Sequence, residues 1–270
     1  MSARAPLAVI GGGRMGEVII GGLLAAGSFA AGDIVVAEPD DARREAMAAT
    51  HGVRVVPDGR EAVDGAGTVL LAVKPQVIDD VVRELSGALG PDALVVSIAA
   101  GITTARLESL LPAGSAVVRV MPNTPALVRA GMAVVSGGSG ASTEQVDDVR
   151  DLFAAVGDAI VIDERQQDAA TAISGSGPAY VAILVDALAR AGVRHGLSRD
   201  VAQRLAVQTL RGTAELLDGT GQHPEALADA VASPGGTTIA AIEQLESNGF
   251  RSSIGAAVSA AVKRAKELGS

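Results

Sequence analysis

The sequence predicts an α/β chain in two parts, a parallel-sheet domain over residues 1–162 and an all-α domain over residues 163–270. Short, almost wholly apolar runs alternate with helical patterns as far as Asp163. The first run, Leu7–Ile10, leads directly into Gly11-Gly-Gly-Arg-Met-Gly16. After Asp163 the strand signals stop and long Ala-rich helical stretches take over.

Leu7–Ile10, Ile34–Ala37, Val53–Val56, Thr68–Val73, Leu94–Ile98 and Val117–Met121 lack the alternation of a half-exposed strand, so they read as strands buried on both faces. Met15–Ala26, Asp41–Thr50 (closed by Gly52), Gln76–Leu85 and Thr103–Leu110 read as the crossover helices. That alternation implies a parallel sheet with helices on both faces. Ala133–Ser136 and Ala159–Ile162 read as later strands. Between them Ser142-Thr-Glu-Gln145 is a capping box opening a helix to about Val156. In the second part helices are expected over Asp168–Ser174, Ala179–Ala191, Ser198–Leu217, Glu225–Ala232, Thr237–Ser247 and Ser253–Leu268. These are lined with small residues and hold few bulky ones, which suits close packing against a second subunit.

Composition narrows the chemistry. Of 270 residues, 48% are hydrophobic, which excludes a disordered chain, and only 1% are aromatic, so the core is aliphatic. Few aromatics and a net charge of −9 argue against a nucleic-acid partner. With no cysteine, thiolate catalysis and zinc–thiolate sites are excluded. The three histidines, His51, His195 and His223, are far apart, and no carboxylate set stands at ligand spacing, so no metal is expected. The most membrane-like window, Val18 to Gly32, is broken by glycines and shorter than the roughly 20 residues of a span. It reads as a buried helix of a cytoplasmic protein.

A glycine triplet of the form Gly11-x-Gly13-x-x-Gly16, between a strand and a helix, is the cradle of a dinucleotide pyrophosphate. Gly12, Arg14 and Met15 complete that loop. Glu38 ends the second strand roughly 20 residues further on, where an acid accepts hydrogen bonds from a ribose 2′-hydroxyl. Ala72-Val-Lys-Pro75 and Ile98-Ala-Ala-Gly101 follow later strands, at the sheet edge where open α/β sheets bind ligands. That reading gives Ala72, Val73, Lys74, Pro75, Ile98, Ala99 and Ala100 to the cofactor cleft. Met121-Pro-Asn-Thr-Pro125 lies at the same edge and offers one amide, Asn123, as a substrate contact.

The second concentration of chemistry is Ser233-Pro-Gly-Gly-Thr-Thr238. Ser233 is the expected N-cap and Pro234 the first helical residue. Such a helix start holds a small anion on unpaired N–H groups, here those of Gly236 to Thr238, with Gly235 allowing close approach. The Thr237 and Thr238 hydroxyls stand beside that anion. No acid–base residue can be placed. Hydride addition to a protonated imine needs none, because the substrate brings its own proton.

Together with Ser174-Gly-Ser-Gly-Pro-Ala-Tyr180 and Val96-Ser-Ile-Ala-Ala-Gly101, these motifs resemble pyrroline-5-carboxylate reductase, from Leu7 to Leu268. The resemblance implies reduction of 1-pyrroline-5-carboxylate to L-proline with NADPH or NADH, the last step of proline biosynthesis. It implies that Ser233 to Thr238 hold the substrate carboxylate and that Thr238 contacts the ring nitrogen as the catalytic hydroxyl. It also implies a homodimer through the C-terminal helices, with assembly up to a decamer. Two positions depart from the family pattern. Glu38 stands where NADPH-preferring members often carry Ser, Asn or Arg, and Gly59 stands where many have a cofactor-contacting Asn. Other readings are reduction of a different cyclic imine or a small hydroxyacid, or NAD(P) sensing without catalysis.

Overall fold

A computed structural model describes residues 5–269. Eight strands form one sheet in the order β3-β2-β1-β4-β5-β6-β7-β8. They are β1 (Leu7–Ile10), β2 (Ile34–Ala37), β3 (Arg54–Val56), β4 (Thr68–Leu71), β5 (Leu94–Ser97), β6 (Ala116–Met121), β7 (Gly131–Gly137) and β8 (Gly157–Val161). The first six are parallel; β7 runs antiparallel to β6, and β8 is parallel to β7. The order 3-2-1-4-5-6 is that of the dinucleotide-binding doubly wound sheet.

Helices α1 (Arg14–Ala25), α2 (Asp41–His51), α3 (Gly59–Val63), α4 (Ile78–Leu85), α5 (Thr104–Glu108) and α6 (Thr143–Phe153) belong to this sheet. Alternate residues of one strand feed two separate cores. Leu7 and Val9 pack with Ile19, Ile20, Leu23 and Phe153 on one face. Ala8 and Ile10 pack with Ile78, Val82 and Leu85 on the other. Each fully buried Leu or Ile contributes about 1.5–3 kcal/mol, so both faces hold the sheet. The apolar window from Val18 is therefore a core helix. Gly52 closes α2 at φ 66°, and Ser142 with Gln145 forms the expected capping box. Helix α3 lies outside the expected elements, and residues 124–128 form a 3-10 turn.

The structure divides into two compact units, 5–175 with 262–269, and 176–261. The first reaches beyond the change of texture at 162. Gln167 is fully buried and its Nε2 donates to the Val134 carbonyl at 3.0 Å and to Ser136 Oγ at 2.9 Å. Those bonds fasten helix α7 (Gln167–Ala170) to β7. Residues 171–175 continue it as a π-turn. Arg119 of β6, 4% exposed, reaches Glu164 Oε1 at 3.3 Å, and the same carboxylate accepts the Thr104 N–H at 2.8 Å. Asp163 caps the turn at 164–166, and its carboxyl is held well below the usual carboxylate range by the hydrogen bond from the Arg165 guanidinium.

The second unit contains α8 (Gly177–Arg194), α9 (Arg199–Thr220), α10 (Pro224–Ala230), α11 (Thr237–Ser247) and the first part of α12 (Phe250–Gly269). Helices α8 and α9 form a close hairpin, with the Cβ position of Gly192 only 2.9 Å from the Ala202 Cβ. Among its described residues only Ala189, Ala202 and Ala206 are buried. Ile183 is 70% exposed and Leu205 54%.

Candidate active site

The predicted cofactor residues follow the carboxyl ends of adjacent parallel strands. Gly11–Gly16 follows β1, Glu38 follows β2, Ala72–Pro75 follows β4 and Ile98–Ala100 follows β5. Met121 ends β6, which brings Asn123 to the same edge. The point between β1 and β4, where strand order reverses, is where such sheets bind dinucleotides.

The glycine loop fits that ligand residue by residue. Gly11 has φ 106°, and a Cβ there would lie 2.7 Å from the Ala72 carbonyl oxygen. A Cβ on Gly16 would lie 2.5 Å from the Gly11 carbonyl oxygen, so α1 can start beside the loop only with glycine there. Gly13 is different: a Cβ on it meets no protein atom within 4 Å. It is the N-cap of α1, and no side chain caps the first N–H groups of the helix. These are the conditions under which a helix start receives a pyrophosphate. A cleft of about 440 Å³ adjoins the loop, bordered by Gly11, Ala37, Pro39 and Val73. Gly59 also borders it, and a Cβ there would lie 3.0 Å from Leu85 Cδ2. Lys74 is exposed and caps a 3-10 turn at 75–77. Ala99 is buried and Ala100 exposed.

Asn123 is not an open amide. Its Nδ2 donates to the Ser174 carbonyl at 2.9 Å, and its Oδ1 accepts the Met132 N–H at 2.8 Å. Both ends of the side chain are engaged with backbone, so its role is to brace the π-turn at 171–175 against β7. The sequence could not indicate a partner 51 residues away.

In the second unit the helix expected over Thr237–Ser247 is found at those bounds, but its cap is not the expected one. Ser233 is not the N-cap: Gly236 is, and α11 begins at Thr237. The Gly236 N–H donates to the Ser233 carbonyl at 2.9 Å, closing a turn in which Gly235 has φ 66°. A left-handed residue is needed there, and glycine supplies it without strain. The Gly236 N–H is therefore spent inside the turn. The N–H groups left by helix geometry are those of Thr237, Thr238 and Ile239, and no side chain caps them. Thr238 is half-buried and its hydroxyl makes no hydrogen bond among the described residues. Among the described residues, no three His, Asp or Glu side chains are grouped to hold a metal.

Residues 164–268 match the family model for pyrroline-5-carboxylate reductase dimerisation, and residues 6–101 match that for NADP oxidoreductase, coenzyme F420-dependent. A pyrroline-5-carboxylate reductase of Synechocystis is 47% identical over 97% of this chain and 98% of its own length. The chain belongs to the pyrroline-5-carboxylate reductase family. A solved pyrroline-5-carboxylate reductase from Coxiella burnetii superposes with a TM-score of 0.95 at 37% identity, covering 99% of this chain and 100% of its own. The pyrroline carboxylate reductase of Plasmodium falciparum, solved with NADP bound, gives 0.87 at 30% identity over 98% of both chains.

Proposed function

We propose that this chain reduces 1-pyrroline-5-carboxylate to L-proline with a reduced nicotinamide dinucleotide. The observation that carries the reading is the uncapped start of α11, where three N–H groups stand beside the hydroxyl of Thr238, in a member of this family. The substrate has the two features such a site recognises, a carboxylate and a ring nitrogen next to the carbon that bears it.

Bound NAD(P)H supplies the hydride, and the residues that would hold it are Gly11–Gly16, Glu38, Ala72–Pro75 and Ile98–Ala100. The N–H groups of Thr237, Thr238 and Ile239 hold the carboxylate and so fix the direction of the ring. A preorganised contact of this kind lowers the barrier chiefly by orientation. The Thr238 hydroxyl turns toward the ring nitrogen. It accepts from the protonated imine and steadies the nitrogen as its positive charge is lost. Asn123 acts through Ser174, as a positioning residue.

The assembly we propose is a homodimer, extending to a decamer. A unit with three buried alanines and exposed Ile183 and Leu205 needs a second apolar surface. One helical run, Glu164–Arg194, is long and apolar enough to cross a membrane by length and composition. It lies in the region matched by the dimerisation model, which favours a second subunit over lipid as its neighbour. With a net charge of −9 we propose no nucleic-acid partner, and a cytoplasmic setting.

The test is to supply the purified chain with 1-pyrroline-5-carboxylate and NADH or NADPH, following coenzyme absorbance and proline together. One proline formed per coenzyme oxidised supports the reading. Coenzyme binding without oxidation, for this imine and its six-membered analogue alike, removes it.

A further inference from the structure

We propose that this chain selects NADH over NADPH and that the buried carboxylate of Glu38 makes the selection. The proposal rests on the reductase reading above. Glu38 follows the last residue of β2 and is only 4% exposed. Its Oε2 accepts the N–H of Gly12 at 3.0 Å, and its Oε1 accepts the N–H of Asp40 at 3.1 Å. The two bonds fix the carboxylate at the rim of the glycine loop. Each oxygen keeps a further acceptor direction, since a carboxylate offers about four lone-pair sites. A Cβ on Gly12 would lie 3.1 Å from Oε2, so the loop and the carboxylate are fitted to one another.

In a sheet of this order, an acid at this place accepts hydrogen bonds from the ribose 2′-hydroxyl. A 2′-phosphate would instead set its charge against a carboxylate that cannot turn away. The surroundings offer that phosphate little relief. The adjoining cleft is bordered by two more acids, Asp58 and Glu84, and by no cationic residue. Two nearby arginines, Arg44 and Arg60, are directed elsewhere. Arg44 donates to the carbonyls of Glu38 and Pro39 at 2.9 and 2.8 Å and pairs with Asp41. Arg60 donates its Nε to the Glu84 carbonyl at 3.1 Å. Arg43 on the first turn of α2 and Arg14 at the start of α1 are exposed.

The experiment is a titration of the full chain with NADH and with NADPH, read by nicotinamide fluorescence without imine, for the wild type, Glu38→Gln, Glu38→Ser and Arg43→Ala. The wild type is expected to bind NADH at least about tenfold more tightly, the scale of a like-charge clash at a binding site. Glu38→Gln and Glu38→Ser are expected to bind NADPH more tightly than the wild type does, a gain that a misfolded variant cannot produce. Arg43→Ala is expected to keep the NADH preference. Equal or tighter NADPH binding by the wild type overturns the proposal, even if the Glu38 variants fail to fold. So do well-folded Glu38 variants with no gain for NADPH. A wild type that prefers NADPH and still forms proline refutes only the role of Glu38. A wild type that binds neither coenzyme refutes the reductase reading along with it.

Discussion

The Asn123 side chain joins two backbones: it donates to the Ser174 carbonyl at 2.9 Å and accepts from the Met132 N–H at 2.8 Å. Truncation leaves both half-buried partners unsatisfied, at a cost of about 1–3 kcal/mol. Asn123→Ala is therefore expected to lower the melting temperature by roughly 3–10 °C for a chain of this size and to reduce turnover with it. Unchanged melting and turnover would show that the π-turn at 171–175 holds itself.

Thr238 contributes nothing visible to its own fold, since its hydroxyl has no hydrogen bond among the described residues. Thr238→Ala should keep the native melting temperature while turnover falls on the order of ten- to a thousandfold, the range for one oriented polar group. Thr238→Ser should retain most of the activity. Wild-type turnover in the alanine variant takes this hydroxyl out of the mechanism.

The glycine loop allows a paired comparison. Gly16→Ala places a Cβ at 2.5 Å from the Gly11 carbonyl oxygen, so it should lower both the melting temperature and coenzyme affinity. Gly13→Ala meets no protein atom at an ordinary φ of −71°. It should melt as the wild type does and yet bind coenzyme more weakly, because the added methyl occupies ligand space. Equal coenzyme affinity in Gly13→Ala would mean that the pyrophosphate does not approach this residue.

Exposed Ile183 and Leu205 give the oligomer a handle. Ile183→Glu combined with Leu205→Glu should shift the mass measured by light scattering down toward the monomer. Retention of the wild-type mass would place the subunit contact on another face of the helical unit.

Much of this architecture was legible in the sequence because its signals are local. Runs such as Leu7–Ile10 and Ile34–Ala37 are buried on both faces, and their unbroken apolar character marks them at their full length. Gly52 and Ser142 act within one turn of chain and were found for that reason. Helix α3 is five residues long and carries too few turns for a period to register. The bounds Thr237–Ser247 of α11 were legible, but its cap was not: Ser233-Pro234 has the composition of a cap, whereas the positive φ of Gly235 closes a turn there and leaves Gly236 as the N-cap. The pairs Asn123–Ser174 and Arg119–Glu164 join distant segments, and nothing in the neighbourhood of either residue names its partner.

The most direct test of the account is a crystal structure of this chain with L-proline bound. The carboxylate should lie about 3 Å from the N–H groups of Thr237, Thr238 and Ile239, as hydrogen bonding requires, with the ring nitrogen toward the Thr238 hydroxyl. Proline bound elsewhere, with the start of α11 empty, would contradict it.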